Sequence, residues 1–209
     1  MAPTKTAETV AVSAPNFQTA HFRIKGATPY MQARFGEKAM QAMRSTQATG
    51  STARKRPPRK ARDFDRDFQE AQHRSKEGWV GIPAPAFRNA CIDACRMVGF
   101  EMTRAKMSIF IEPDGFDAVD VTPLVRLDAP EPERTEMVTR NATGVADIRV
   151  RPLWREWGAD LRVQFDADQF TLADVANLLT RAGRQVGIGE GRPFSKKSAG
   201  LDFGRFSVE

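Results

Sequence analysis

The regularly patterned segments of this chain follow one another in the order strand, helix, strand, strand, helix, strand. The first strand, Phe17–Lys25, alternates Ala20, Phe22 and Ile24 with polar residues, as a half-buried strand does. The first core helix is predicted over 85–98, because its apolar residues recur at spacings of three and four, prolines 83 and 85 mark its start, and Gly99 ends it. This order limits the chain to folds in which two helices connect the strands of one sheet.

The other predicted elements either belong to this core order or lie in segments between the core elements. The remaining core elements are strands at Lys106–Glu112, Asp160–Phe165 and Arg205–Val208, and an amphipathic helix at Leu172–Ala182 that Thr171 caps and Gly183 ends. Between them the patterns predict a short helix at Glu37–Arg44, a charged helical stretch after residue 62, and short strands at Thr122–Leu127, Glu136–Arg140 and Asp147–Arg151.

Together these elements predict an α+β fold with a ferredoxin-like core, the split βαβ plan that is also called RRM-like. Such a core needs only about 100 residues, and the chain has 209. We therefore expect a disordered arm over 1–15 and a single domain over 16–209, with long insertions at 26–80 and 113–158 and a C-terminal glycine-rich loop. Insertions on a rigid platform are where binding function usually lies.

Composition argues against several classes of protein. The apolar stretches are far shorter than the ~18 residues needed to cross a bilayer, and the N-terminal residues lack a signal-peptide pattern. We therefore expect no membrane partner and a cytoplasmic location. Cys91 and Cys95 are the two cysteines, too few for a disulfide framework or a four-thiolate zinc site. They share one face of the predicted helix, which indicates buried apolar residues.

Positive charge is concentrated in the first part of the chain. The net charge is +6, and the first 80 residues hold fifteen Lys and Arg against seven Asp and Glu. Residues 111–140 hold three against eight. A basic surplus favours a polyanionic partner, and the opposite charges along the chain suit side-by-side self-assembly. Solvated loops give the same distribution, so that alternative stays open.

Two segments carry the candidate phosphate contacts. Residues 54–62, RKRPPRKAR, combine two prolines with six cations, a pattern typical of a mobile basic loop or a solvated linker. Residues 186–206 contain five glycines, which let a backbone approach phosphates, although a flexible hairpin has the same composition and no P-loop pattern is present. The cations are Arg54, Lys55, Arg56, Arg59, Lys60 and Arg62 in the first segment and Arg192, Lys196 and Lys197 in the second.

Three segments resemble the repeat-associated mysterious protein (RAMP) superfamily, which includes the backbone subunits and processing nucleases of CRISPR effector complexes. IKGATPYMQARF (24–35) is similar to the first strand and turn of backbone subunits, and GIPAPAFRNACIDACR (81–96) is similar to the entry into the first core helix. The glycine-rich loop that leads into FGRF resembles the last loop and strand of the family. The combination also resembles phage proteins of similar length, so we expect a phage-encoded relative acting in the host cytoplasm.

The resemblance implies that the protein binds a single strand along a positively charged face, with the insertions as fingers and neighbouring copies side by side. It does not imply catalysis. By position it assigns binding roles to Thr28, Tyr30, Gln32 and Arg34 in the first turn, to Arg88 and Asn89 at the helix entry, and to Arg192, Lys196 and Lys197 in the glycine-rich loop. The basic run 54–62 is not a family feature, and its predicted role depends on charge alone.

Three aromatic residues fall in or beside loops, where their rings could stack on bases: Tyr30, Trp79 and Phe194. The alternative for each ring is a place in the core or at its rim. His21 and His73 are the two histidines, and no spacing around them indicates a triad or a metal site. The carboxylates of Asp114, Asp117 and Asp120 lack the calcium-loop pattern, so we predict no metal and no cofactor.

The sequence thus predicts a non-enzymatic protein that coats or scaffolds single-stranded DNA or RNA and forms homo-oligomers or filaments along it. A metal-independent RNA-processing endoribonuclease using His21 is one alternative. A phage structural or assembly protein that uses its charge only for self-association is the other.

Overall fold

The structure is a computed structural model that describes residues 12–49, 62–140, 146–194 and 200–209. The elements in these ranges form a mixed α/β protein with antiparallel sheets. The strands are β1 (Phe17–Gly26), β2 (Tyr30–Met31), β3 (Gly81–Pro83), β4 (Ile109–Glu112), β5 (Gly115–Phe116), β6 (Pro123–Arg126), β7 (Glu133–Arg140), β8 (Ala146–Trp154), β9 (Gly158–Asp166) and β10 (Phe206–Val208). The helices are α1 (Glu37–Thr49), α2 (Phe64–Glu70), α3 (Ala84–Cys95), α4 (Met102–Ser108) and α5 (Leu172–Arg181).

The largest sheet has the strand order β10-β1-β9-β4, and all neighbouring strands are antiparallel. β1 and β9 form its centre, paired from Phe17 opposite Asp166 to Lys25 opposite Gly158. The alternation predicted for β1 is confirmed, since Ala20, Phe22 and Ile24 all pack into the core. The opposite face of the sheet carries polar side chains, among them the exposed His21.

α3 and α5 supply the helical side of the core. The predicted apolar face is confirmed for α3, where both thiols are buried together with Phe87, Ala90 and Ala94. Val98, which was predicted to belong to the same face, is 49% exposed. Helix α5 begins with a capping box in which Thr171 Oγ1 accepts from the Asp174 amide and Asp174 Oδ2 accepts from the Thr171 amide. α3 ends in a 3₁₀ turn that reaches Gly99, whose φ of 68° is typical of a helix stop.

Several predicted boundaries differ from the structure; β7 begins at Glu133 rather than Glu136, and β8 ends at Trp154 rather than Arg151. Lys106–Glu112 was expected to be a strand throughout, but α4 extends to Ser108 and the strand begins at Ile109. Ala105 and Ser108 are both buried on α4, a spacing of three that a strand would place on opposite faces. The helix predicted to end at Arg44 continues to Thr49, since Gln47 and Ala48 also favour a helix, and the Thr46 hydroxyl donates to Ala42 O at 2.8 Å within it.

The two predicted insertions pack against each other. β2, from the first insertion, pairs with β8 from the second in a sheet of order β2-β8-β7. A further small sheet, β3-β6-β5, connects the start of α3 with the second insertion. Ion pairs between Arg62 and Asp147 and between Arg134 and Asp65 join α2 and its entry to the β7–β8 ribbon. The insertions therefore form one lobe beside the main sheet.

Most of the predicted N-terminal arm lies outside the described residues, and residues 12–15 are exposed. None of the described helices combines the length and the apolar character that a membrane crossing requires.

Candidate nucleic-acid interface

The glycine-rich loop lies directly on β2. The Glu190 amide donates to Met31 O at 3.0 Å, and the Gly204 amide donates to Pro29 O at 2.7 Å. Gly189 has a φ of +79°, and a Cβ at this position would lie 2.5 Å from Met31 O. Only glycine allows the two backbones to approach this closely. Two of the predicted binding segments, the first-strand turn and the glycine-rich loop, are therefore adjacent in the fold.

Tyr30 does not occupy the position that was predicted for it. Its side chain is 1% exposed, with its ring 5.7 Å from that of Trp154 and 5.1 Å from that of Trp157. Its hydroxyl accepts from Gln32 Nε2 at 3.1 Å, and burial raises the pKa of Tyr30 well above its usual value. A ring enclosed in this way offers no face to a base, so the prediction that Tyr30 stacks on nucleic acid is wrong for this conformation.

A buried polar network follows β2. Gln32 Nε2 donates to Gly81 O at 2.7 Å, and Gln32 Oε1 accepts from the His73 amide at 2.9 Å. His73 Nδ1 lies 2.9 Å from Asp117 Oδ2, and Arg34 Nε lies 3.2 Å from the same oxygen. Burial lowers the pKa of His73, and its hydrogen bond with Asp117 offsets only part of that effect. Gln32 and Arg34, to which the resemblance assigns binding roles, thus hold the segments of the lobe together through buried contacts.

Arg34 also lines a groove of about 430 Å³ between the segment after β2, α2 and β8. Arg62 and Arg151 line it too, and Phe35 at its side is 53% exposed. Of the described side chains that line it, three are arginines and two, Asp67 and Glu70, are carboxylates. This surface, the arginine groove, brings together the first-strand turn and the last residue of the basic run.

The arginines of the arginine groove already have carboxylate partners. Arg62 Nε lies 2.6 Å from Asp67 Oδ2, and its Nη1 lies 2.9 Å from Asp147 Oδ1. Arg151 Nε lies 2.5 Å from Oε2 of Glu190, the residue whose amide binds β2. Arg151 therefore connects the arginine groove to the glycine-rich loop. Arg151 was not among the binding residues predicted from the sequence, although it lies two residues after Arg149 in the predicted strand 147–151.

Arg88 lies elsewhere and has a structural role. Its Nε donates to Ile109 O at 2.9 Å, its Nη2 donates to Lys106 O, and its guanidinium lies over the ring of Phe110 at 4.9 Å. These contacts hold the junction of α4 and β4. The structure does not bring Arg88 to the arginine groove, because its donors are used on backbone carbonyls of another edge of the molecule.

The described part of the glycine-rich loop ends at Phe194, whose ring is exposed. Arg192 Nη1 donates to Gly189 O and its Nε to Phe194 O, each at 3.2 Å, so Arg192 stabilises the turn of its own loop. Seven other predicted contacts lie outside the described residues: Arg54, Lys55, Arg56, Arg59, Lys60, Lys196 and Lys197.

His73, Asp117 and Asp120 place ligand-type atoms within 4.8 Å of one another. Asp117 Oδ2 already contacts His73 and Arg34, and its Oδ1 accepts from the amides of Val119 and Asp120 at 2.9 and 3.4 Å. A guanidinium beside the shared oxygen disfavours a dication on electrostatic grounds. We interpret the cluster as an anchor for the 114–122 loop.

No protein-family model and no curated protein matches this chain.

Proposed function

We propose that this protein binds single-stranded nucleic acid through the arginine groove, without catalysing a reaction. The observation that carries the proposal is the convergence of Arg34, Arg62 and Arg151 on one groove beside an exposed phenylalanine. Guanidinium groups suit phosphates because their planar fork donates two parallel hydrogen bonds. An exposed ring beside them supplies a surface on which a base can stack.

The proposal includes a ferredoxin-like, RAMP-type core. The main sheet contains four strands, β1, β4, β9 and β10. If these are numbered one to four along the chain, their order across the sheet is 4-1-3-2, and all neighbouring strands are antiparallel. This order supports the split βαβ plan, in which each helix connects two strands that flank a third. The lobe formed by the insertions then lies beside the core as the binding surface, and the RAMP and phage relationship is part of the proposal.

Binding at the arginine groove requires phosphates to compete with carboxylates. The side chains of Arg62, Asp67 and Asp147 are 30–42% exposed. Ion pairs of this exposure contribute only about 0–1 kcal/mol, so exchanging a carboxylate for a phosphate at Arg62 costs little. Arg151 and Glu190 are 18% and 17% exposed, so Arg151 exchanges its partner at a greater cost. The basic run that ends at Arg62 contains six cations, including Arg62 itself.

Fluorescence polarisation with labelled 30-nucleotide DNA and RNA strands tests the function. We expect binding of at least one strand, with log affinity falling against log salt by about 0.7 for each phosphate contact. Two contacts in the arginine groove, from the partly exposed Arg62 and Arg151, then give a slope of about −1.4, and further contacts by the basic run make it steeper. Absence of binding to either strand at micromolar protein and low salt would overturn the proposal.

Arg151→Gln tests the location, with Arg23→Gln as its matched control. Arg23 is also an ion-paired arginine, bound to Asp128 and Asp160, but it lies on the polar face of the main sheet. We expect Arg151→Gln to weaken binding and to reduce the salt slope by about 0.7, with Arg23→Gln unchanged. The reverse pattern would place the strand on the sheet face and refute the arginine groove.

We further propose that copies assemble side by side along a strand, since the basic first part and the acidic 111–140 segment are complementary in charge. Size-exclusion chromatography with light scattering, before and after addition of strand, measures this. Growth of the assembly on adding strand supports it. Large assemblies that form without nucleic acid and ignore added strand would instead support a purely structural protein.

A further inference from the structure

A second hollow opens on the lobe between the segments 75–79 and 115–121. It measures about 500 Å³ and is lined mainly by apolar surface. The residues around it are Ser75, Lys76, Glu77, Trp79, Gly115, Phe116 and Val121. We call it the Trp79 hollow.

The indole ring of Trp79 forms the floor of the hollow, and its neighbours fix its position. A Cβ at Gly81 would lie 2.9 Å from Trp79 Cζ3, and a Cβ at Gly115 would lie 2.8 Å from Cζ2. The ring therefore lies across the two glycines of the β3-β6-β5 sheet, where any side chain would displace it. Indole Nε1 donates to Glu77 Oε2 at 2.8 Å, which fixes the ring in its plane. One ring face is covered by the sheet, and the ring borders the hollow.

Two apolar side chains in the lining of the Trp79 hollow are exposed to solvent. Phe116 is 52% exposed, and Val121 is 66% exposed. Val121 also has a φ of 53°, a conformation that β-branched residues rarely adopt. Backbone of this kind is concentrated at ligand-binding sites, where the surrounding structure holds it in place. Exposed rings and a strained valine together indicate a surface shaped for a flat apolar ligand.

The Trp79 hollow and the arginine groove are linked through the interior of the lobe. Asp117, the chain neighbour of Phe116, lies 3.2 Å from Nε of Arg34, which lines the arginine groove. Two cations flank the hollow: Lys76 in its lining, and Arg126, which pairs with Gly81 in the β3–β6 register and so shares its face. Among the described residues neither has an ion-pair partner, and both are exposed. The hollow thus combines an aromatic surface for a base with cations for the phosphates beside it.

We propose that the Trp79 hollow is a base-binding subsite, in which one unpaired base stacks between Trp79 and Phe116 while Lys76 and Arg126 contact the adjacent phosphates. This inference rests on the proposed function, because it assigns a base position to the strand that the arginine groove binds. Stacking is tolerant of sequence, since every base has a π-face. The subsite therefore recognises that a base is present and unpaired, and not which base it is.

Tryptophan fluorescence tests the subsite directly. The chain has three tryptophans, and Trp154 and Trp157 are 1% and 4% exposed, so a strand in the hollow quenches Trp79 selectively. We expect unlabelled oligothymidylate and oligouridylate to quench the emission on binding. Trp79→Phe should abolish the quenching while retaining most of the affinity, because a phenyl ring can still stack.

Affinity measurements with an abasic strand provide a second readout. Wild-type protein should bind a strand that contains bases about 5- to 150-fold more tightly than an abasic strand of equal length and charge, and Trp79→Ala should reduce that ratio. Phe116→Ala should lower it to a smaller extent. Phe17→Ala serves as the control, since Phe17 is a similarly exposed ring on β1 of the main sheet.

The outcomes separate the two proposals. If no strand binds in polarisation, the proposed function fails and the subsite with it. If strands bind but Trp79 emission is unchanged and abasic strands bind equally well, the subsite is wrong while the arginine groove stands. The wild-type measurements need no substitution, so they decide the question even if Trp79→Ala unfolds.

Discussion

The ion pair between Arg34 and Asp117 permits a quantitative prediction, because its two side chains are only 4% and 1% exposed. Asp117→Asn removes the charge that neutralises Arg34 and leaves a guanidinium buried without a counter-ion. Such a change typically costs about 3–5 kcal/mol in the free energy of unfolding. In a chain of this size each kcal/mol lowers Tm by about 2–4 °C, so we expect Tm to fall by about 6–20 °C.

Replacing Arg34 should lower the free energy of unfolding by less than replacing Asp117. In Arg34→Met, Asp117 keeps its contact with His73 and the amides of Val119 and Asp120. The charged oxygens remain hydrogen-bonded, so we expect a loss of about 1–3 kcal/mol. The double variant Arg34→Met/Asp117→Asn buries no unpaired charge. Its stability should therefore be close to that of Arg34→Met alone, which corresponds to a coupling energy of at least about 2 kcal/mol between the two sites.

Urea denaturation of the four proteins, followed by circular dichroism, measures this cycle. Equal m-values across the series show that the variants share one folded state and one unfolded state. Losses that simply add in the double variant, or an Asp117→Asn variant as stable as wild type, would show that the pair is not a coupled, desolvated ion pair.

Three further predictions concern residues with defined environments. Because burial holds the folded pKa of His73 below its usual 6.5, the unfolded chain binds more protons between the two values. Stability should therefore fall as pH drops from about 7 through that window, and thermal melts of His73→Asn should show a weaker decline; an unchanged decline would assign it to other groups. A Cβ at Gly204 would overlap Ile188 O, whereas a Cβ at Gly200, which has a similar φ, would meet no atom within 4 Å. Gly204→Ala should therefore lose several times more stability than Gly200→Ala, which costs about 1 kcal/mol; equal losses in urea melts would contradict this. Both thiols are buried, and burial raises the pKa of Cys91 to about 12, so Ellman's reagent at pH 8 should modify neither in the folded protein and both in denaturant.

Periodicity in the sequence predicted most of the elements. β1, α3, β9 and α5 occur where apolar spacing, cap residues and glycine stops indicate them, because those signals act within one or two turns of chain. Helix α4 was not predicted and its last residues were assigned to a strand, since its buried Ala105 and Ser108 face a core that is built from distant segments. Local pattern carries no information about which distant surface will cover a residue.

The sequence also predicted only part of the candidate site. From residue types and order alone, the sequence indicated cations and glycines in the first turn, the basic run and the last loop. Only the tertiary structure decided which of these lie together: Arg34 and Arg62 meet Arg151 in the arginine groove, whereas Arg88 is used at another edge and Tyr30 is enclosed in the core. Charge and composition are properties of the chain, but burial and proximity come from long-range strand pairing such as that of β2 with β8.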